Sequence, residues 1–349
     1  MLAVEKEAPR DRYNIVYYIM LLHGVGTLMP WNMFITIAPS YFVDYKLKEV
    51  GTDGVLIGTT YSLNFFSYLG ICSQLPNLLT NLANVFIRSK GGLGRRIILS
   101  LITVALIIII TLVLVFIDTS HIVTTFFFLT MLTVIVLNAA NGIYQNSIYG
   151  VVAAFPQQFT NAIVLGNNVC GTFVSIINII TLTALETVQI AASAYFLIAL
   201  LTVTTCLVTF ILLPRFEFYR YYMKKAEEEK EVVNLNEGES TTKVMLYWEV
   251  FKQVWVQCLN VFLVFFVTLS IFPAIMADTR IYRPNGVYDF WLPGTLNTCT
   301  TFSAQQLLVI SFASCSMNNV NIDHFHSGNV KIFGWSLLMG GKWFALWIA

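Results

Sequence analysis

Residues Ile15–Tyr41 read IVYYIMLLHGVGTLMPWNMFITIAPSY, a run without a single Asp, Glu, Lys or Arg. A helix crossing the hydrocarbon core of a bilayer needs about 20 consecutive, mainly apolar residues. This run exceeds that length, and its pattern recurs along the chain. Gly54–Phe86, Ile97–Ile117, Ile122–Ala154, Phe159–Leu185, Thr187–Leu213 and Gln253–Ala277 are equally free of acidic and basic residues. Several are long enough to require tilt, kinks or interfacial ends. Pro30, Pro76 and Pro273 lie inside spans, where a proline removes a backbone donor and kinks the helix.

Composition points the same way. The 349 residues are 57% hydrophobic and only 11% charged, against roughly 25% charged in a soluble domain. Such a chain cannot cover a soluble surface with charge. The expected fold is therefore an all-α polytopic membrane protein. The net charge of +1 implies no nucleic-acid partner. Six cysteines, none in a CxxC pair, read as small core residues. The first apolar run is too long and too rich in Gly and Pro for a cleavable signal, so it reads as a retained first span.

The connections sort by charge. Lys6, Arg10 and Arg12 precede the first span; Arg88, Lys90, Arg95 and Arg96 fill the second connection. Arg215, Arg220, Lys224, Lys225, Lys230 and Lys243 follow the sixth span. Six alternating spans place these three regions on one side, and the positive-inside rule makes that side cytoplasmic. On the other side Lys46 and Lys48 are offset by Asp44, Glu49 and Asp53. The organisation expected is a six-helix bundle over 1–214, a charged, solvated cytoplasmic loop over 215–247, and a partial second bundle over 248–349.

Neutral amides recur inside the spans, where lipid cannot satisfy them. Asn138, Asn141, Gln145 and Tyr149 share one face of the fourth span, by their i, i+3, i+7 and i+11 spacing. Asn168, Gly171, Ser175 and Asn178 do so in the fifth. Gln74 and Asn77 flank Pro76 in the second, and Trp31 and Asn32 follow Pro30 in the first, one to two turns beyond His23. Any single amide is accounted for by interhelical hydrogen bonding. Four helices each offering a polar stripe suggest a shared hydrophilic cavity. That cavity has donors and acceptors but no fixed charge. It favours an uncharged polar solute carried downhill, since anionic substrates and ion-coupled pumps call for Arg, Lys, Asp or Glu on the path. Amides suit a base edge and sugar hydroxyls, and Trp31 offers a stacking surface. Sugars and amino-acid-like amides satisfy the same chemistry. No nucleophile–base pair or metal set stands in the spans, so no enzyme activity, cofactor or metal is expected. His324 and His326 form an HxH without further ligands nearby.

The stretch Asp11–Tyr41, with its GxGTLxPWNxFI core (Gly24, Gly26, Thr27, Leu28, Pro30, Trp31, Asn32, Phe34, Ile35), resembles the first helix of the equilibrative nucleoside transporters. Further resemblances follow in family order: SQLPN at Ser73–Asn77, GIYQNSIYG at Gly142–Gly150, LGNNVCGT at Leu165–Thr172, PRFEFYRYYM at Pro214–Met223 and FPAIMADT at Phe272–Thr279. The resemblance covers residues 11–293. It implies a fold like the major facilitator superfamily, with a complete six-helix N-terminal bundle and a second bundle that rocks against it. It implies facilitative transport of nucleosides, or of nucleobases, across the plasma membrane without metal or ATP. On motif position it implies that Leu28, Trp31, Ile35, Gln74, Asn77 and Gln145 line the substrate site, joined from the stripe analysis by Asn141 and Asn168. Gly24, Gly26, Pro30, Asn32, Gly166 and Gly171 are the expected structural positions. The family's eighth helix carries a Phe-Asn…Asp…Gly-Arg motif. Here Thr300–Phe302 resembles its beginning, and SAQQLLVISFASC follows instead. That departure supports a second expectation, a truncated, transport-inactive membrane protein that associates with a full-length transporter.

Overall fold

The computed structural model describes residues 9–50, 56–86, 92–119, 121–184 and 187–236, together with Lys252, Trp255 and Leu259. The seventh span and the partial bundle expected over 248–349, with His324 and His326, lie outside the described residues apart from those three positions.

The first helix starts from an unusual turn. Tyr13 and Asn14 adopt left-handed backbone angles, φ 60° and 54°, which non-glycine residues rarely take. The Asp11 carboxylate offsets this cost by accepting from the backbone N–H groups of Val16 (3.2 Å) and Tyr17 (3.0 Å). Asp11 so caps donors that the first turn of any helix leaves unmet. Helix α1 then runs over Ile15–Ala38 with Pro30 inside it, and continues as a π-helical segment, Pro39–Lys46.

The following charged residues leave the helical pattern. Lys48–Val50 (β1) pairs antiparallel with Leu56–Gly58 (β2), Glu49 opposite Ile57. This corrects the second expected span at its start. Gly54–Gly58 lacks charge, so hydropathy joins it to the helix behind it, whereas Leu56–Gly58 forms a hairpin edge. Thr59 next caps a helical turn, Thr60–Leu63, by accepting from the Ser62 N–H. Helix α2 begins only at Phe65 and ends at Phe86.

The remaining spans lie close to expectation: α3 Leu93–Phe116, α4 Val123–Val152, α5 Gln157–Ala184 and α6 Val188–Leu212. Five helical stretches, all but α2 and including α1 with its extension, are long and apolar enough to cross a membrane among the described residues. Helix α2 is diluted by Gln74, Asn77, Asn81 and Asn84. Large apolar side chains such as Leu99, Phe116, Leu132 and Leu201 are exposed around the bundle, as expected of a helix surface solvated by lipid. The chain is an all-α, multi-pass integral membrane protein.

Packing follows a definite order. Helix α1 lies along α5 and α6, α2 along α4, and α3 against both α4 and α6; α1 and α4 approach only over a short stretch. The α1–α5 crossing is tight because both helices present glycine there. A Cβ on Gly24 falls 2.9 Å from Ile163 Cα and nearer still to its carbonyl oxygen. A Cβ on Gly166 falls 2.9 Å from Val25 N and nearer to the Leu21 carbonyl oxygen. Gly26 leaves room for the Cys206 sulfur of α6.

The charged stretch after the sixth span differs from the loop expected. Glu217–Asn236 is a helix, α7. Its buried Phe218 stands 4.8 Å, ring to ring, from Phe159 and 4.7 Å from Tyr222 of its own next turn. Phe155 joins the same cluster. An apolar i, i+4 pair gives this helix a face to bury against the α4–α5 corner, while Lys224, Lys225, Glu227 and Glu228 remain exposed.

Candidate functional site

The close contacts run in the order α5–α1–α6–α3–α4–α2, with a short direct contact between α1 and α4, so that α2 and α5 are the end members. The four helices that carry amide stripes are α1, α2, α4 and α5, and none has an Asp, Glu, Lys or Arg within its helical bounds. Cross-helix contacts put their polar residues at a common depth. The Asn141 amide of α4 donates to the Thr27 carbonyl of α1 at 2.7 Å. The Thr27 hydroxyl lies 2.7 Å from Asn167 Oδ1 of α5 and 2.7 Å from the Gly24 carbonyl oxygen. Gly142 of α4 faces α2: a Cβ there falls 2.6 Å from Thr80 Oγ1 and 3.1 Å from Asn77 Oδ1.

The amides at this level fall into two sets. The first is engaged in hydrogen bonds within or between helices. Asn77 Oδ1 accepts from Asn81 at 2.8 Å, and Asn81 accepts in turn from Asn146, an amide ladder joining α2 to α4. Asn167 donates to the Tyr149 hydroxyl at 3.1 Å, tying α5 to α4. Asn32 donates weakly to the Cys170 sulfur at 3.7 Å, tying α1 to α5. Asn138 donates to the Val134 carbonyl of its own helix. The buried Asn141 spends its donor on Thr27 and leaves its Oδ1 without a partner among the described residues.

The second set is Gln74, Gln145 and Asn168. Each is half-buried, and none makes a side-chain hydrogen bond to another residue among those described. Half-buried amides without partners cost free energy in a low-dielectric setting unless water or a ligand meets them. Trp31 is also half-buried, its ring parallel to Phe34 with centroids 6.4 Å apart, and Leu28 is half-buried one turn earlier. Ile35 is instead 8% exposed, packed into the bundle core. Gly171 is buried in α5.

Sequence reasoning named Asn168 and passed over its neighbour Asn167, which makes the interhelical bonds. It also passed over Asn81 and Asn146. The run Gln74, Asn77, Asn81, Asn84 keeps one face of α2 and was a usable signal for the first of these. His23, buried in α1, has its Nδ1 2.7 Å from the Tyr144 hydroxyl of α4 and its Nε2 unpartnered among the described residues. A separate apolar pocket, lined by Pro30, Phe34, Thr111, Thr133, Leu137 and Phe196 among others, lies between α1, α3, α4 and α6. It contains no amide and sits apart from the polar level. Among the described residues no group of three His, Cys, Asp or Glu side chains is placed to hold a metal ion.

Comparison with known proteins identifies the family. Residues 131–293 match the nucleoside transporter family model. Equilibrative nucleoside transporter 2 of Mus musculus is 30% identical over 310 residues, covering 77% of this chain and 67% of the relative. Equilibrative nucleoside transporter 1 of Rattus norvegicus is 27% identical over 312 residues, 78% and 68% of the two chains. Equilibrative nucleoside transporter 3 of Rattus norvegicus is 32% identical over 221 residues, 62% and 46%. The charge-free helices, their amide-bearing faces and these similarities lead to one assignment: this chain belongs to the equilibrative nucleoside transporter family.

Proposed function

We propose that the chain carries nucleosides across a membrane by facilitated, downhill transport, with alternating access to a site on the α1–α2–α4–α5 face of its six-helix bundle. The observation that supports this most is the presence, at the polar level of helices without fixed charge, of the uncommitted, half-buried amides Gln74, Gln145 and Asn168. An amide offers both a donor pair and an acceptor, which is what a base edge and ribose hydroxyls require. Trp31 is the surface for stacking the base, and Leu28 the apolar wall beside it. Asn77 supports the site by orienting Asn81, which accepts from Asn146 of α4, and Asn141 does so by fixing α1 against α4. Ile35 acts from the packed core behind α1.

The absence of Asp, Glu, Lys and Arg from these helical segments favours a neutral solute and no ion coupling through them. Nucleobases share the hydrogen-bonding edge and belong to the same substrate reading. Lys and Arg cluster before α1, between α2 and α3, and after α6, which by the positive-inside rule favours a cytoplasmic N-terminus and α7, and the plasma membrane is the membrane proposed. Uptake of labelled uridine into cells expressing the chain tests the proposal. Saturable uptake that unlabelled adenosine or uridine competes away is expected; uptake equal to that of mock-transfected cells overturns it.

A further inference from the structure

The six-helix bundle is not packed uniformly. Helices α5, α1 and α6 form one layer of close contacts, and α2, α4 and α3 another. Two seams join the layers. Between α3 and α6 the contact is broad and apolar, and Gln189 pins its outer end by donating to the Val115 carbonyl at 2.9 Å. Where α4 meets α1 and α5 the contact is narrow, and side-chain hydrogen bonds carry it: Tyr144 to His23, Asn141 to Thr27, and Asn167 to Tyr149.

We infer that this polar seam is a sliding joint inside the six-helix half, with the α3–α6 contact as its hinge and Tyr144 as its positioning residue. The Tyr144 hydroxyl lies 2.7 Å from His23 Nδ1 and 3.4 Å from the His23 carbonyl oxygen. The hydroxyl thus reaches both a ring nitrogen and the backbone oxygen of one residue, and the tautomer of His23 sets which of the pair donates. Spare capacity remains at Asn141 Oδ1 and His23 Nε2, both buried and both unpartnered among the described residues. A seam with one hydroxyl that reaches two partners and with unused polar atoms beside it can shift while keeping its polar groups met. The glycine-tight α1–α5 crossing cannot shift that way, because backbone meets backbone there. Hydrogen bonds between membrane helices are also weak: each shifts an equilibrium only about threefold on average, so three together hold the seam by roughly twentyfold.

The joint serves the transport cycle on the reading given above, and it changes the separation of α2 and α5. It is tested by distance measurements between spin labels on the purified full-length chain in nanodiscs. One pair, at Leu78 of α2 and Phe173 of α5, spans the seam; a second, at Phe173 and Leu201 of α6, lies within one layer. All three positions are exposed. Two distance populations are expected for the first pair and one for the second. Tyr144→Phe is expected to change the ratio of the two populations by about threefold. If that variant does not fold, Tyr149→Phe removes a different bond of the same seam, with the same expected shift. A single population across the seam, or a ratio indifferent to the variant that folds, overturns the joint. Uridine is then added. A ratio that responds to the seam variant but not to uridine leaves the joint standing and removes the nucleoside reading.

Discussion

The α1–α5 crossing gives a prediction whose size follows from the geometry. Replacing Gly166 by alanine puts a methyl carbon 2.9 Å from Val25 N and 3.0 Å from Gly24 Cα, and nearer still to the Leu21 carbonyl oxygen. Carbon atoms in contact rest about 3.5–4.0 Å apart. The three neighbours are all backbone, so no rotamer change relieves the clash, and the helices must separate by about 1 Å. Inserting one extra methyl into a packed interior costs typically 1–3 kcal/mol when neighbours can adjust. Here they are helix backbone, so a destabilisation at or above about 3 kcal/mol is expected. Gly24→Ala meets Ile163 in the same way and belongs in the same class. Gly142→Ala meets side-chain oxygens of Thr80 and Asn77, which can turn aside, and should cost about 1–2 kcal/mol. Gly70 has nothing within 4 Å of its added Cβ, so Gly70→Ala should be neutral or slightly stabilising through helix propensity. The assay is the thermal midpoint of the detergent-solubilised protein, followed by size-exclusion chromatography after heating. The expected order of midpoints is Gly70→Ala highest, then Gly142→Ala, with Gly24→Ala and Gly166→Ala lowest or failing to express. A Gly166→Ala protein as stable as Gly70→Ala refutes the crossing geometry.

Other consequences concern the site. Gln145→Ala should raise the half-saturation concentration for uridine by an amount equal to one buried hydrogen bond, about 1–3 kcal/mol, or roughly five- to 150-fold; an unchanged value removes Gln145 from the site. Gln74→Ala and Asn77→Ala should separate: the first weakens substrate affinity with little change in thermal midpoint, whereas the second lowers the midpoint by breaking the Asn77–Asn81–Asn146 ladder, and equal profiles for the two would contradict the division of the amides. Asp11→Ala removes the acceptor for two backbone N–H groups and should cost about 1 kcal/mol of stability at the start of α1, read as a lower midpoint.

The membrane architecture was legible because the signal is one-dimensional. A charge-free run of sufficient length is visible without knowing its neighbours, and of the first six spans all but the second come within a few residues of their helices. The errors have local causes. Gly54–Gly58 lacks charge, so nothing in hydropathy distinguishes a hairpin strand from the start of α2. Glu217–Asn236 is so charged that it reads as solvent-borne chain, although Phe218 and Tyr222 mark one apolar helical face. The site was legible only as stripes. Composition reveals that α2, α4 and α5 carry amides on particular faces; it cannot reveal which amides are already engaged. Asn167 and Asn168 are adjacent in sequence and identical in type, yet one is tied to Tyr149 and Thr27 and the other is uncommitted. That difference is set by a rotation of about 100° around the helix and by what stands opposite.

The central claim is that amides without fixed charge move a neutral nucleoside downhill. It is tested most directly by reconstituting the purified chain in liposomes and following labelled uridine with no ion gradient imposed. The account predicts uptake that saturates with concentration, exceeds that of protein-free liposomes, and stops when inside and outside concentrations are equal. Uptake no faster than in protein-free liposomes, or accumulation above the outside concentration driven by an imposed ion gradient, contradicts it.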